Sequence, residues 1–198
     1  MKRIAITGSG SREDTLVAKA LSIMCGYDLC VSPSFSQTAI KYGISMDIEA
    51  CQWPDSYVYC LDVFTERIIV EHQYGENFVS DGSVLRELVW LKCRYPHLEL
   101  IYEQSMVRCL ERVVAAYAAK NYDAVFFLSG GQEKSVTGDC LQQLLDIYGI
   151  PYKPVNSPER ETDLEAMVEH LGISPVMSAF FSLSKAARDL SFNNDIQV

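Results

Sequence analysis

The sequence predicts an α/β domain built on a mostly parallel sheet. Three observations carry that prediction. Short apolar runs alternate with stretches of helical periodicity, the signature of βαβ units. The first apolar run meets a glycine-rich turn and then a helix. The 198 residues suit one domain, and their balance of 48% hydrophobic and 22% charged residues is that of a globular chain.

The elements follow in order. Arg3–Thr7 (RIAIT) is an apolar run that ends at Gly8, as a buried strand does. From Thr15 to Met24, Leu16, Val17, Ala20, Leu21 and Met24 fall at helical spacing, and Gly26 supplies the stop. Residues 27–53 hold the breakers Pro33 and Gly43, with a short helix expected around Ser36–Tyr42. Asp55–His72 is a long periodic stretch. Val58, Leu61, Phe64, Ile68 and Ile69 are expected to share its buried face, with Glu66-Arg67 and Glu71-His72 exposed. Asn77–Ser80 is a second strand, ending at Asp81-Gly82.

Val84–Cys93 then reads as a helix that buries Leu85, Leu88, Val89 and Trp90, and Ser105–Lys120 as another. Ala124–Leu128 (AVFFL) is the clearest strand and runs into Ser129-Gly130-Gly131. Leu141–Tyr148 is helical and closes at Gly149. Ile150–Val155 is a fourth strand, with Pro151 at its start. Thr162–Leu171 is a helix ended by Gly172, and Ala179–Leu190 has an amphipathic helical pattern. Residues 1–198 are expected to form one domain, with 173–198 as a helical extension. Met177–Leu190 covers a sheet edge or meets a second subunit, which makes a homodimer one expected partner arrangement.

Composition removes several function classes. No run of about 18 apolar residues exists to span a bilayer. The apolar stretch of MKRIAITGSG is too short for a signal peptide. A net charge of −9 argues against general nucleic-acid binding. The seven cysteines, Cys25, Cys30, Cys51, Cys60, Cys93, Cys109 and Cys140, include no C-x-x-C pair, and His72, His97 and His170 show no ligand spacing. Scattered reduced thiols and a cytoplasmic location are the expectation. Trp53, Trp90, Tyr57 and Tyr59 are expected in the core.

Chemistry concentrates at three strand ends: Gly8 onward, Asp81, and Ser129–Gly131. In parallel α/β sheets the ligand site lies outside the carboxyl ends of the strands. Gly8-Ser9-Gly10-Ser11-Arg12-Glu13-Asp14-Thr15 stands where a phosphate loop belongs, with glycines for a tight turn and a helix N-terminus for an anion. Against the pattern G-x-x-x-x-G-K-S/T, Gly8 and Thr15 match, while Glu13 replaces the glycine and Asp14 the lysine. An aspartate for a lysine reverses a charge. Two unit charges about 4 Å apart interact by about 4 kcal/mol at an effective dielectric of 20. Arg12 is the nearest replacement cation. The same residues also serve as a simple turn and helix cap.

The order of segments resembles the P-loop nucleoside kinase-like group. Its nearest relatives in pattern are AAA-domain proteins similar to the ribosylnicotinamide kinase domain of bacterial NAD regulators. Four places carry the resemblance: RIAITGSGSREDTLVAKAL, ENFVSDGSVLRELVW, NYDAVFFL and IPYKPVNSPERETDLEAMVEHL, together about residues 3 to 171. The resemblance implies a three-layer P-loop NTPase-like fold and a nucleotide or phosphate ligand, ATP or GTP with Mg²⁺. It implies that Gly8, Ser9, Gly10, Ser11, Arg12 and Thr15 line the phosphates, and that Thr15 and Asp81 hold the metal. Asp81 would be the catalytic base. Residues near Lys134 and Arg160 would complete the nucleotide site.

The chain departs from that family where it matters. Asp14 stands for the lysine, Gly82 for the arginine after Asp81, and the stretch SGGQEKSVTGDC has Lys134 as its one cation. Asp81 has a second role open to it, as a cap for the helix near Ser83 or Val84, which Ser83 could share. Three functions stay open: a degenerate kinase-like protein that binds nucleotide weakly, an active small-molecule kinase, and an interaction module without nucleotide.

Overall fold

The computed structural model describes residues 2–8, 12–31, 53–94, 101–128, 136–155 and 160–172. In chain order these form β1 (Lys2–Gly8), α1 (Arg12–Cys25), β2 (Asp28–Cys30), α2 (Trp53–Gln73), β3 (Asn77–Asp81) and α3 (Leu85–Arg94). Then come α4 (Ile101–Asn121), β4 (Ala124–Leu128), α5 (Val136–Ile147), β5 (Lys153–Val155) and α6 (Arg160–His170). The strands make one sheet in the order β2-β3-β1-β4-β5, and every pairing is parallel.

Each strand alternates its side chains between two helical layers. Ala5, Phe78, Val125 and Phe127 face the larger core, which α2, α3, α4 and α5 cover. Ile4, Ile6, Val79 and Phe126 face α1 and α6, through Ala18, Leu21, Met167 and Leu171. The result is three layers, as the sequence predicted. Because both faces are covered, the central strands are apolar on both sides. Burial of each such Phe, Ile or Val contributes about 1.5–3 kcal/mol.

The topology fixes where a ligand can enter. The connection leaving β1 runs over one face through α1, whereas α3 and α4, which follow β3, lie on the other. β1 and β3 are neighbours, so the crevice between diverging connections opens at their carboxyl ends. Register places Ile6 beside Asp81 and Gly8 beside Leu128.

Several expectations need correction. The structure adds the strand β2, which carries no alternating pattern. The face of α2 differs most. Val58, Leu61 and Ile69 are 49%, 43% and 53% exposed, whereas Arg67 and Glu71, expected at the surface, are each 1% exposed. The buried stripe is Ser56, Cys60, Val63, Phe64, Arg67 and Glu71. Helical spacing alone did not say which of two stripes faces inward, and polar partners decide it. In α1, Leu16 is exposed and Ala18 takes its place in the core. α5 begins at Val136, inside the stretch expected to be a loop, and β5 is shorter than expected.

The helix stops at Gly26, Gly149 and Gly172 fall as predicted. Gly26 adopts φ +66°, and the amide of Tyr27 donates to the carbonyl of Ser22 at 3.0 Å, a left-handed cap that glycine allows. Tyr59 is core and Tyr57 packs against it. Cys25, Cys30, Cys60, Cys93, Cys109 and Cys140 stand as thiols outside any disulfide. The expected helices at 36–42 and 179–190, the extension 173–198 and the side chains of Trp53 and Trp90 lie outside the described residues.

Candidate functional site

The carboxyl ends of β1 and β3 bring together two residues 66 apart in sequence. Thr15, in the first turns of α1, donates its hydroxyl to Asp81 Oδ2 at 2.9 Å. Alternation along β3 explains the contact. Ser80 points toward α2, so Asp81, the next residue, points toward α1. Asp81 is 5% exposed, and its Oδ1 is buried as well. The cap of α3 is therefore a different residue. Ser83 Oγ accepts from the Leu85 amide at 3.3 Å and shares a hydrogen bond of 3.0 Å with Thr7 Oγ1 at the end of β1.

Asp14 has turned inward. It is 2% exposed, and its carboxylate lies against Gly8. A Cβ built on Gly8 would stand 2.9 Å from Asp14 Oδ1 and 2.7 Å from the Leu128 carbonyl oxygen. Glycine at this position lets β1, β4 and Asp14 close up. The first turn of α1 thus carries a buried acid at the place where a phosphate loop carries its lysine.

A polar network lies beneath β3. Arg67 Nη1 donates to Ser80 Oγ at 3.0 Å, to the Asp81 carbonyl at 3.2 Å and to the Gly82 carbonyl at 3.3 Å. Ser80 Oγ passes the chain on to Glu71 Oε1 at 3.0 Å. Tyr122 also donates to Oε1, at 2.8 Å, and Tyr117 to Oε2 at 2.9 Å. The Tyr122 hydroxyl then accepts from the Val84 amide at 3.2 Å. Glu71 thus receives three hydroxyl protons, which is how a buried carboxylate is tolerated. The network fixes the backbone of Asp81 and Gly82 from behind.

The same burial moves the phenols and a thiol. Burial first, then the Glu71 charge, pushes Tyr117 and Tyr122 above the ordinary tyrosine range. Burial, aided by Glu71, raises the Cys30 thiol to about 11, and burial alone raises Cys25 to about 11. In these groups the folded state holds its proton more tightly than the unfolded chain does. Their contribution to stability is complete below the ordinary thiol value of 9 and is lost as pH climbs past it, then past 10 for the tyrosines. Urea unfolding between pH 8 and 11.5 should show stability falling from about pH 9. The fall above pH 10 should be shallower in Tyr117→Phe. A flat profile would refute it.

Gly82 adopts φ +89°, and a Cβ there would meet Arg86 Nη1 at 2.9 Å and Arg67 Nη2 at 3.3 Å. Two guanidinium groups therefore converge on the Gly82 Cα.

Of the residues predicted for the site, Thr15 and Asp81 meet at the β1–β3 crevice, and Gly8 ends β1 against Asp14 and Leu128. Arg12 opens α1 and Arg160 opens α6, their side chains outside the described set. Ser9, Gly10, Ser11 and Lys134 lie outside the described residues. Arg67, Glu71 and Arg86 were not predicted for the site. The available signal was the four-residue spacing of Arg67 and Glu71, which a solvent-exposed pair shares.

Thr15 and Asp81 fit a hard cation such as Mg²⁺. They supply two oxygen donors, and Mg²⁺ commonly takes few protein ligands, with waters and phosphates for the rest. No cluster of three His, Cys, Asp or Glu side chains suited to a metal occurs among the described residues. No helix among them is long and apolar enough to cross a membrane.

No protein-family model matches the chain, and no curated protein matches it by sequence. Solved structures do match. Deoxyadenosine kinase from M. mycoides with bound dCTP aligns with a TM-score of 0.58 at 14% identity, over 86% of this chain and 98% of that one. The same enzyme with bound dATP aligns with a TM-score of 0.56 at 15% identity, over 86% and 99%. At such identity the likeness concerns architecture. The chain has an α/β, P-loop nucleoside kinase-like fold.

Proposed function

We propose that this protein binds a nucleotide at the carboxyl ends of β1 and β3 but holds its phosphates weakly and transfers them poorly. The observation that carries this reading is the inward carboxylate of Asp14, packed against Gly8. It places negative charge where phosphate needs a cation. Gly8, Ser9, Gly10, Ser11, Arg12 and Thr15 would line the phosphates, with Lys134 and Arg160 contributing from later segments. Thr15 and Asp81 would hold Mg²⁺, which supplies charge neutralisation when bound. In this reading residues 1–198 act as one cytoplasmic domain.

Titration calorimetry with ATP and GTP, each with and without Mg²⁺, tests the reading. Affinities of about 0.1–1 mM are expected, equivalent to roughly 4–5.5 kcal/mol. Asp81→Asn should abolish the gain that Mg²⁺ brings. No binding at 10-fold higher concentration overturns the proposal.

The Thr15–Asp81 contact favours a second reading, an active nucleoside-type kinase. There Asp81 accepts the proton of the acceptor hydroxyl as it attacks the phosphoryl group. ATP turnover with a nucleoside, lost in Asp81→Asn, would select it. The narrower resemblance to ribosylnicotinamide kinase domains makes a pyridine nucleoside one acceptor to screen. The exposed Val58, Leu61 and Ile69 of α2 favour the remaining reading, an interaction module or homodimer. Failure of all nucleotide binding would leave that one standing.

A further inference from the structure

We propose that Tyr122 is a positioning residue, which ties the start of α3 to the buried Glu71 and so keeps the Asp81–Val84 turn in the shape that brings Asp81 to Thr15. This rests on the nucleotide-binding reading above and adds what sets its Mg²⁺ dependence.

The turn has to be held from outside. Gly82 adopts φ +89°, a region that glycine enters readily and leaves as readily. Any other conformation at Gly82 changes how β3 leads into α3, and with it the direction of the Asp81 carboxylate. On the β3 side the turn is gripped by its backbone. The Gly82 amide donates to the Ile6 carbonyl at 2.7 Å, and Arg67 donates to the carbonyls of Asp81 and Gly82.

The α3 side needs ties of its own. Val84 immediately precedes α3, and an amide at a helix start has no acceptor within the helix. The next two amides, of Leu85 and Arg86, donate to Ser83 Oγ and to the Ser83 carbonyl, which move with the turn. Other bonds reach further. Ser83 Oγ meets Thr7 Oγ1 at 3.0 Å, and the Val84 amide donates to the Tyr122 hydroxyl at 3.2 Å.

The Tyr122 hydroxyl is suited to that bond. Its proton is committed to Glu71 Oε1 at 2.8 Å, because an ionised carboxylate only accepts. Its oxygen is left to accept from Val84, and donation to a charged group strengthens it as an acceptor. Glu71 Oε1 also takes the Ser80 hydroxyl at 3.0 Å, and Ser80 Oγ accepts from Arg67 at 3.0 Å. One carboxylate oxygen thus anchors both sides of Gly82. Tyr117 offers the contrast. It donates to the other oxygen, Oε2, at 2.9 Å, and leaves the Oε1 contacts to Ser80 and Tyr122.

Titration calorimetry with ATP, with and without Mg²⁺, compares wild type with Tyr122→Phe and Tyr117→Phe. Each variant takes one hydroxyl from Glu71, so a merely structural network predicts like effects from both. Mg²⁺ should raise the ATP affinity of wild type and of Tyr117→Phe by about tenfold, and that of Tyr122→Phe by about twofold or less. ATP affinity without Mg²⁺ should be unchanged by either substitution. Amide hydrogen exchange on wild type is a second measurement, independent of how the variants fold. Coupling is reciprocal, so ATP with Mg²⁺ should slow exchange at Val84 more than ATP alone does. Three results overturn the positioning role and leave nucleotide binding standing: Tyr122→Phe keeps the full Mg²⁺ gain, the two variants lose it alike, or Val84 exchange ignores Mg²⁺. If wild type binds no ATP, both are overturned.

Discussion

Arg67→Met should destabilise the protein by about 3–5 kcal/mol, the usual cost of removing one member of a buried charged network. The size follows from what Arg67 holds. Its Nη1 serves Ser80 Oγ and the carbonyls of Asp81 and Gly82, all inside the protein. Methionine fills most of the volume and serves none of them. Glu71 would keep its three hydroxyl donors and lose the nearby cation. Urea unfolding measures the loss, and the melting temperature should fall on the order of 10 °C for a chain of this size. Arg67→Lys should recover only part, because an ammonium cannot span three acceptors in one plane. A loss under about 1 kcal/mol, the scale of one ordinary hydrogen bond, would mean that the network is not under tension to stay paired.

Asp14→Asn should raise ATP affinity by at least tenfold. The substitution keeps shape and removes one negative charge from the floor of the first turn. A unit charge about 8 Å from a phosphate is worth about 2 kcal/mol at an effective dielectric of 20, and tenfold in affinity needs about 1.4. Calorimetry on wild type and Asp14→Asn decides it. Asparagine is a cleaner test than lysine. The Asp14 carboxylate is buried against Gly8, so a lysine would have to swing out of that space. Equal affinities in the two proteins would place the phosphates away from Asp14 and remove the stated reason for weak binding.

Much of this architecture was legible from periodicity because the central strands are apolar on both faces. β1, β3 and β4 announce themselves in that way, and β4 was bounded at Ala124–Leu128 as observed. β2 did not. It is three residues long, begins on an exposed Asp28 and gains its place by pairing with β3 and by burying Cys30. The buried face of α2 was misread for a related reason. Its apolar residues fall on two stripes, and Arg67 and Glu71 mark the inner one. A charge is expected outside unless its partners are known, and here they come from Ser80, Tyr117 and Tyr122, remote in sequence.

The candidate site divides along the same line. Gly8, Thr15 and Asp81 were legible because strand ends in a parallel sheet converge. That Asp81 turns to Thr15, leaving the cap of α3 to Ser83, needed the alternation of β3 and its register with β1. Arg86 was invisible because an arginine near a helix start has no distinguishing pattern. Gly82 looked like a lost arginine. The structure instead shows a guanidinium from one turn onward lying on it.

The two border strands bear on how the chain survives in crowded solution. β2 and β5 each have only three residues, and β5 has Pro154 in its middle, with no amide hydrogen to offer. An open strand is a template on which other chains can polymerise, and short, proline-marked borders are a common defence against that. Among the described strands, the long adhesive ones, β1, β3 and β4, all lie in the interior of the sheet. Exposing them takes the loss of a whole neighbour, so resistance to fibril formation should track global unfolding and not local fraying at the borders.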